Sequence, residues 1–448
     1  MSRVMQQVLQ QVMLRRIVAF TAVVCVGVGS AGAQTAADTL TSSFPVDGIP
    51  VILRRNTSNN VVVVNVYLLG GVRQITRATS GIEPFLLSVS ERGTKHYPKA
   101  VLRSKTSALG SDFVVSPSID WTMFGARTIT SVMDSTWAIF ADRLMYPAIQ
   151  PAEVELVRSQ LLSAEKQERD DPDEYVSNLA DSVAFAGHPY SVSVTGNARS
   201  LASITSTDLR DYQRSQIVKS RMLIVVVGDV TRAHVESLVH ATFGRLPAGS
   251  YKWSLPDPIP VTPSSAVLVQ RDLPTNYILG YVAGPLASSF DYTALRVAAT
   301  VLTGQMFAEI RGRQNLTYDV HAPFLERAAS ASGLYVTTVA PDTTLRLMKF
   351  FITQLQNETV TTEGLQRLEL QFITQYFLDN ETNASQADFL ARSQLYQGDY
   401  RRAMSFVNDL RSVTPEAVQA AARKYIKNFH WAYLGDTTKV DRRLLESF

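Results

Sequence analysis

Metal and acid–base chemistry in a protein needs histidines and carboxylates at spacings that let them converge. This chain of 448 residues has six histidines: His96, His188, His234, His240, His321 and His430. No two stand at i and i+4, the spacing that puts both on one helix face, and none sits in a run of acids. His234 and His240 are six apart on a predicted helix and point to different faces. His188 lies in a Gly-Pro turn, where it either braces the turn or faces solvent. His96 falls just past a predicted helix, at the surface. The one cysteine, Cys25, lies in an N-terminal apolar run, so thiol catalysis, disulfides and thiolate-bound metal are excluded from the rest of the chain. There is no phosphate-binding loop, no Ser/His/Asp order and no basic–aromatic RNA patch. The RDDPDE run at residues 169–174 reads as a solvated loop.

The chain is organised around residues 80–98, SGIEPFLLSVSERGTKHYP. Ser80 and Glu83 have the spacing of a capping box, which predicts a helix starting at Ser80, and Gly93 is a natural stop for it. A glycine, an apolar helix, then Gly-Thr and Tyr-Pro: this frame resembles the insulinase/pitrilysin family, which includes the mitochondrial processing peptidases and the respiratory core proteins. Active members carry H-x-x-E-H on this helix, two zinc ligands and a general base. Here those positions hold Pro84, Leu87 and Ser88. The family's third ligand, a Glu on the next long helix, falls on Ala164 when counted back from Asp171-Pro172. Ala164 lies on the apolar face of its helix and reads as a small core residue. Glu165 is one step, about 100°, away. The resemblance covers essentially the whole mature chain. It continues through Gly187-His188-Pro189-Tyr190, Gly196 and the VVVGDV strand end.

A second constellation is kept. RGRQNLTY, residues 311–318, is similar to the family's R-E-x-x-G-L-x-Y segment, with Arg311 and Tyr318 matching its Arg–Tyr pair. In the family this pair binds substrate main chain and steadies the oxyanion; a guanidinium and a phenol are fixed donors for developing negative charge. Gly312 stands where Glu is usual, and Asn315 where Gly is usual; Asn tolerates a left-handed turn.

Behind these residues the sequence predicts an α+β fold of two similar halves, each a mixed β-sheet packed with helices. Residues 61–69 are β-branched enough for a buried strand, and residues 107–115 and 121–130 read as further strands. A long helix over 152–168 shows Val154, Val157, Leu161 and Ala164 on one face. Helices at 292–310, 345–357 and 363–378 are predicted in the second half. Thr205 opens a helix that leads to an apolar strand and Gly228-Asp229; Thr414 opens another that leads to Gly435-Asp436, at nearly the same spacing. Prolines at 247, 256, 258, 260 and 263 mark the joint. The expected organisation is a signal peptide at 1–33, an N-terminal half at 34–245 with a degenerate zinc site, a linker at 246–264 and a C-terminal half at 265–448.

Arg15 and Arg16 followed by an apolar run ending in Ala-x-Ala predict an exported, periplasmic protein cleaved after Ala33. An uncleaved anchor is the alternative, for which the run is short. Residues 1–33 hold three arginines and no acid, so their removal takes the formal charge from +3 to zero and leaves no electrostatic argument for nucleic acid.

The resemblance therefore implies a non-catalytic subunit that binds no metal itself. It would pair with a zinc-bearing insulinase-type subunit, enclose unfolded peptides docked as an added strand on a sheet edge, and reach them with Arg311 and Tyr318. No stable membrane insertion is expected after cleavage. The alternatives are a scaffold or binding protein of the same fold without a part in proteolysis, and an active zinc peptidase with unrecognised ligands.

Overall fold

The computed structural model describes residues 40–448. The signal peptide expected at 1–33, its expected cleavage point and Cys25 lie outside the described residues. In the first half the elements run β1 (Thr41–Val46), β2 (Ile49–Arg55), β3 (Val61–Leu69), α1 (Ile82–Ser90), α2 (Lys99–Leu109), β4 (Asp112–Pro117), β5 (Trp121–Ile129), α3 (Met133–Met145), α4 (Pro151–Asp170), α5 (Pro172–Ala184), α6 (Ala198–Ser203), α7 (Ser206–Gln216), β6 (Met222–Gly228) and α8 (Arg232–Ala241). The proline-rich residues 247–264 form neither helix nor strand. The second half continues with β7 (Ser265–Gln270), β8 (Asn276–Leu286), α9 (Asp291–Met306), a π-helical turn (Phe307–Arg313), β9 (Thr317–His321), β10 (Phe324–Leu325), β11 (Ala329–Thr338), α10 (Pro341–Asn357), α11 (Thr362–Asp379), α12 (Asn383–Gln397), α13 (Arg402–Arg411), α14 (Pro415–Tyr425), β12 (His430–Gly435) and α15 (Arg442–Leu445). Among the described residues no helix is long and apolar enough to cross a membrane.

Both sheets follow one plan. The first has the order β1-β2-β6-β3-β5-β4, the second β7-β12-β8-β11-β10, with β9 also on β11. Each has one parallel pair, β2 with β6 and β7 with β12, and is otherwise antiparallel. The helix–strand–Gly-Asp repeat seen in the sequence is thus the end of a duplication that spans each half.

The strands read as continuous apolar runs because both sheet faces are covered. Val62, Val64, Val66 and Leu68 of β3 pack against the first half's own helices. Val63, Tyr67 and Leu69 meet Leu390, Ala391 and Leu395 of α12, which belongs to the second half. The exchange is reciprocal, since Val176 and Ala180 of α5 lie on Leu279, Tyr281, Ala432 and Leu434 of the second sheet. At about 1.5–3 kcal/mol per buried large apolar side chain, these crossed helices tie the halves together.

Several local expectations are corrected. The helix does not begin at Ser80 and has no capping box. α1 starts at Ile82 behind Gly81, which has φ 85° and leaves no side-chain cap. A Cβ on Gly81 would lie 2.6 Å from the Thr195 carbonyl oxygen, so glycine is required there. The expected strand at 107–115 is split: residues through Leu109 end α2, and β4 begins at Asp112. Residues 169–174 are not a loop, because Asp171 caps α5 through the amides of Asp173 and Glu174.

Candidate functional site

A cavity of about 1030 Å³ lies between the halves. Its first-half walls come from α4, α5, the end of β4 and the loop at 190–197; β10 and α12 supply the second-half wall. Asp120, fully buried before β5, knots the two sides. Its carboxylate accepts from the Tyr190 hydroxyl at 2.6 Å, the Tyr396 hydroxyl at 3.0 Å and the Ala328 amide at 2.9 Å. Burial and the Asp120 charge push the Tyr190 phenol well up, so it stays a donor.

Two of the four arginines that line the cavity are matched by acids, while Arg77 and Arg169 form no ion pair among the described residues. Arg327 pairs with Asp181 at 3.0 Å, and Arg392 with Asp388 at 2.7 Å and Glu326 at 3.3 Å. Glu165, Glu168 and Glu174 on the opposite wall form no ion pair among the described residues. Burial, with the neighbouring charges of Glu174 and Glu165, raises the Glu168 carboxyl above its ordinary value.

The positions at which the family resemblance would place a zinc site lie outside the cavity lining. Leu87 is 1% exposed and is part of the first half's core, and Pro84 and Ser88 are half-buried on α1. Ala164 is exposed on α4, which corrects its expected place in the core; seven residues beyond Val157 it keeps that residue's face, but burial on α4 stops at Val154 and Val157. None of the four lines the cavity. A Pro, a Leu and an Ala have no side-chain donor to offer, and a Ser hydroxyl is not an ordinary zinc ligand. The residues at these positions do not fit the ion. Among the described residues no three His, Cys, Asp or Glu side chains are grouped to hold a metal.

Four of the six histidines pair singly with acids: His96 with Asp142, His234 with Asp134, His240 with Asp47 and His321 with Asp319. His96 is exposed, as expected. His188 is buried and braces its turn, its Nδ1 accepting from the Tyr190 amide at 3.2 Å. Its Nε2 then donates to the Asp257 carbonyl at 3.1 Å, so the ring is neutral. Desolvation lowers its pKa, against the smaller raising effect of Asp257 and Asp120.

Arg311 and Tyr318 come together outside the cavity. The Arg311 guanidinium lies 5.8 Å from the Tyr318 ring and 4.9 Å from that of Phe307. Tyr318 is 87% exposed, Arg311 is exposed, and neither lines the cavity. The π-helical turn presents Arg311, and Asn315, at φ 53°, reverses the chain into β9. The left-handed turn expected of Asn315 therefore forms.

Sequence reasoning missed one constellation. Glu83, on the first turn of α1, is 3% exposed and pairs with buried Arg221 at 3.0 Å. The Tyr212 hydroxyl donates to the same carboxylate at 2.8 Å, and Arg221 Nε donates to the Leu69 carbonyl at 2.8 Å. An acid within an otherwise apolar helix turn was the available signal.

A profile of the insulinase family, peptidase family M16, matches residues 50–198, and one described as the peptidase M16 inactive domain matches residues 203–371. The chain is 23% identical over 397 residues to the mitochondrial-processing peptidase subunit beta of Blastocladiella emersonii, covering 85% of this chain and 84% of that protein. It is 25% identical over 416 residues to the mitochondrial cytochrome b-c1 complex subunit 1 of Caenorhabditis elegans, covering 87% and 86%. The crystal structure of a peptidase M16 inactive domain from Pseudomonas fluorescens superposes with a TM-score of 0.80 at 18% identity, over 89% of this chain and 98% of that one. With both profiles in chain order and the duplicated fold shared, this chain belongs to the insulinase family, peptidase family M16.

Proposed function

We propose that the chain is an exported, periplasmic, non-catalytic subunit that binds unfolded peptides beside a zinc-bearing chain of the same family. The observation that carries this is a contrast of placement. The four positions that would build a zinc site hold Pro84, Leu87, Ser88 and Ala164 and do not face the cavity, while Arg311 and Tyr318 are paired and presented to the outside. A donor pair that its own cavity does not use is available to a partner's site.

The sheet edges support peptide binding. β4 ends the first sheet, and its Ser116 and Pro117 line the cavity. β10 ends the second sheet, and its Phe324 and Leu325 line the same space. An edge strand has free amides and carbonyls for an extended chain. β9 continues the β10 edge, so Tyr318 lies roughly 20 Å along it, six residues before Phe324. A peptide on this edge would run out of the cavity toward the Arg–Tyr pair.

The test uses the mature chain with and without a zinc-bearing family member. Zinc content of the lone chain is measured, and cleavage of unfolded peptides is followed in both samples. The expected result is no zinc and no cleavage alone, with turnover only in the pair. Chelator-sensitive cleavage by the lone chain would overturn the proposal. Unchanged turnover by a pair carrying Arg311→Ala and Tyr318→Phe would reduce the chain to a scaffold.

A further inference from the structure

The first sheet has a notch. β3 reads VVVVNVYLL and β5 reads WTMFGARTI, and the two weakest strand formers in them, Asn65 and Gly125, stand directly opposite each other. Gly125 has no positive φ to explain it. A Cβ there would lie 2.5 Å from Asn65 Oδ1 and 2.9 Å from Met123 Sδ. The glycine makes room for the amide. Asn65 is 5% exposed; its Nδ2 lies 3.3 Å from the Tyr67 hydroxyl, and no hydrogen bond reaches its Oδ1 among the described residues. Which amide atom faces Tyr67 is an assignment, and with either one the other is left open.

The notch opens into a pocket of about 690 Å³. Tyr376, Phe389 and Phe406 form its wall, with ring centroids 5.1 to 5.9 Å apart. At the rim Arg296 pairs with Glu326 at 2.7 Å and lies 5.6 Å from the Phe406 ring. Arg392 is likewise neutralised by Asp388. An aromatic wall favours a ring. A buried amide with one open polar atom favours a ligand that hydrogen-bonds to it. Arg127 and Asp379 also line the pocket and form no ion pair among the described residues, but the lining's three arginines and three acids balance in formal charge, which favours a neutral ligand.

We propose that Asn65 and Gly125 form the floor of a side-chain pocket for a neutral aromatic ring bearing a hydroxyl or N–H, the side chain of Tyr or Trp in a bound peptide. Val114 and Ser116 of edge strand β4 also line the pocket, so a chain paired along β4 passes over it. Delivery along β4 rests on the peptide-binding reading above; the pocket itself does not.

The experiment measures binding of N-acetyl-tyrosinamide, N-acetyl-tryptophanamide and N-acetyl-alaninamide to the mature chain by ligand-observed NMR. The ring amides bind, and the alanine amide is about tenfold weaker or worse. Asn65→Val with Tyr67→Phe removes the amide and its hydroxyl partner together, so the fold loses no buried pairing. This double variant keeps the thermal midpoint and loses the ring preference. Gly125→Ala fills the notch and also loses it. Equal affinity for the alanine and ring amides in the wild type overturns the proposal even if neither variant folds. Unchanged ring preference in the folded double variant overturns it as well. If the ring amides bind as stated while a Tyr-containing extended peptide binds no better than its Ala counterpart, delivery along β4 falls and the pocket stands.

Discussion

The two halves share a strand plan and use the region after their central hairpin strand in opposite ways. In the first half β3 leads to α1, whose first turn is buried and fixed by Glu83 on Arg221 and Tyr212. In the second half β8 leads to α9, which unwinds through a π-helical turn and surfaces at Arg311 and Tyr318. One copy of the plan has polar groups that satisfy each other inside, and the other has polar groups left open to solvent. Duplication fixes where a helix goes; it does not fix whether its polar residues serve the fold or a ligand.

The largest way to break that contrast is Glu83→Ala. It leaves Arg221, 1% exposed, as an uncompensated buried cation, and it strips the Tyr212 hydroxyl of its acceptor. Loss of one partner from a buried pair costs about 3–5 kcal/mol. Urea unfolding of the chain should show a loss of that size with the slope unchanged. Glu83→Ala with Arg221→Met should recover much of it, because replacing the whole pair with apolar volume is close to neutral. A loss under about 1 kcal/mol for Glu83→Ala would mean the pair is not holding α1, and the contrast would fail on its first side.

These assignments show what the sequence could carry. The β-branched run of β3 and the helix expected over 363–378, which packs Leu365, Leu368 and Phe372 on the core as α11, were legible, because burial on one or both faces leaves a periodic trace. The duplication was legible at its ends, where Thr205 and Thr414 cap α7 and α14. α2 was not, since Leu102 is its one fully buried residue and leaves no apolar stripe. The exchange of α5 and α12 was not legible either. Apolar spacing shows that Val176 and Ala180 have a covered side, but not that the cover is the other half's sheet. Glu83 followed a serine at capping distance, so the local rule claimed it; its true partner is 138 residues away in sequence, beyond any local rule.

The seam between the halves belongs to neither side of the comparison and responds to pH. His188 is neutral, donates to the Asp257 carbonyl in the proline-rich segment, and has its pKa lowered by desolvation. Asp120 and Asp257 oppose that shift, and Arg73 adds to it. With the folded pKa below the unfolded value of about 6.5, the unfolded chain binds the proton first as pH falls. Stability is therefore complete above that range and declines as pH drops through it toward the folded value. His188→Gln should be less stable at pH 8 and should show a shallower decline from pH 7 to pH 5. His430, also lowered by desolvation, gives wild type and variant the same background slope. Parallel curves for the two proteins would remove His188 from the seam.

The smallest expected effect on folding is at Arg311 and Tyr318, and there the smallness is the informative part. Tyr318 is 87% exposed, and among the described residues the Arg311 side chain lies over the Phe307 and Tyr318 rings with no ion pair or side-chain hydrogen bond. An exposed cation–π contact is worth about 0.5–1 kcal/mol, and exposed substitutions usually change stability by about 0.5 kcal/mol or less. Arg311→Ala and Tyr318→Phe should leave the urea midpoint nearly unchanged in the lone chain. In a pair with a zinc-bearing subunit each should lower turnover by roughly 10²–10³-fold, the cost of one missing oxyanion donor. A stability loss above about 1 kcal/mol would place the pair with Glu83, as a structural contact, and erase the contrast between the halves. Unchanged stability with unchanged turnover would leave an exposed arginine and tyrosine that neither the fold nor a substrate uses.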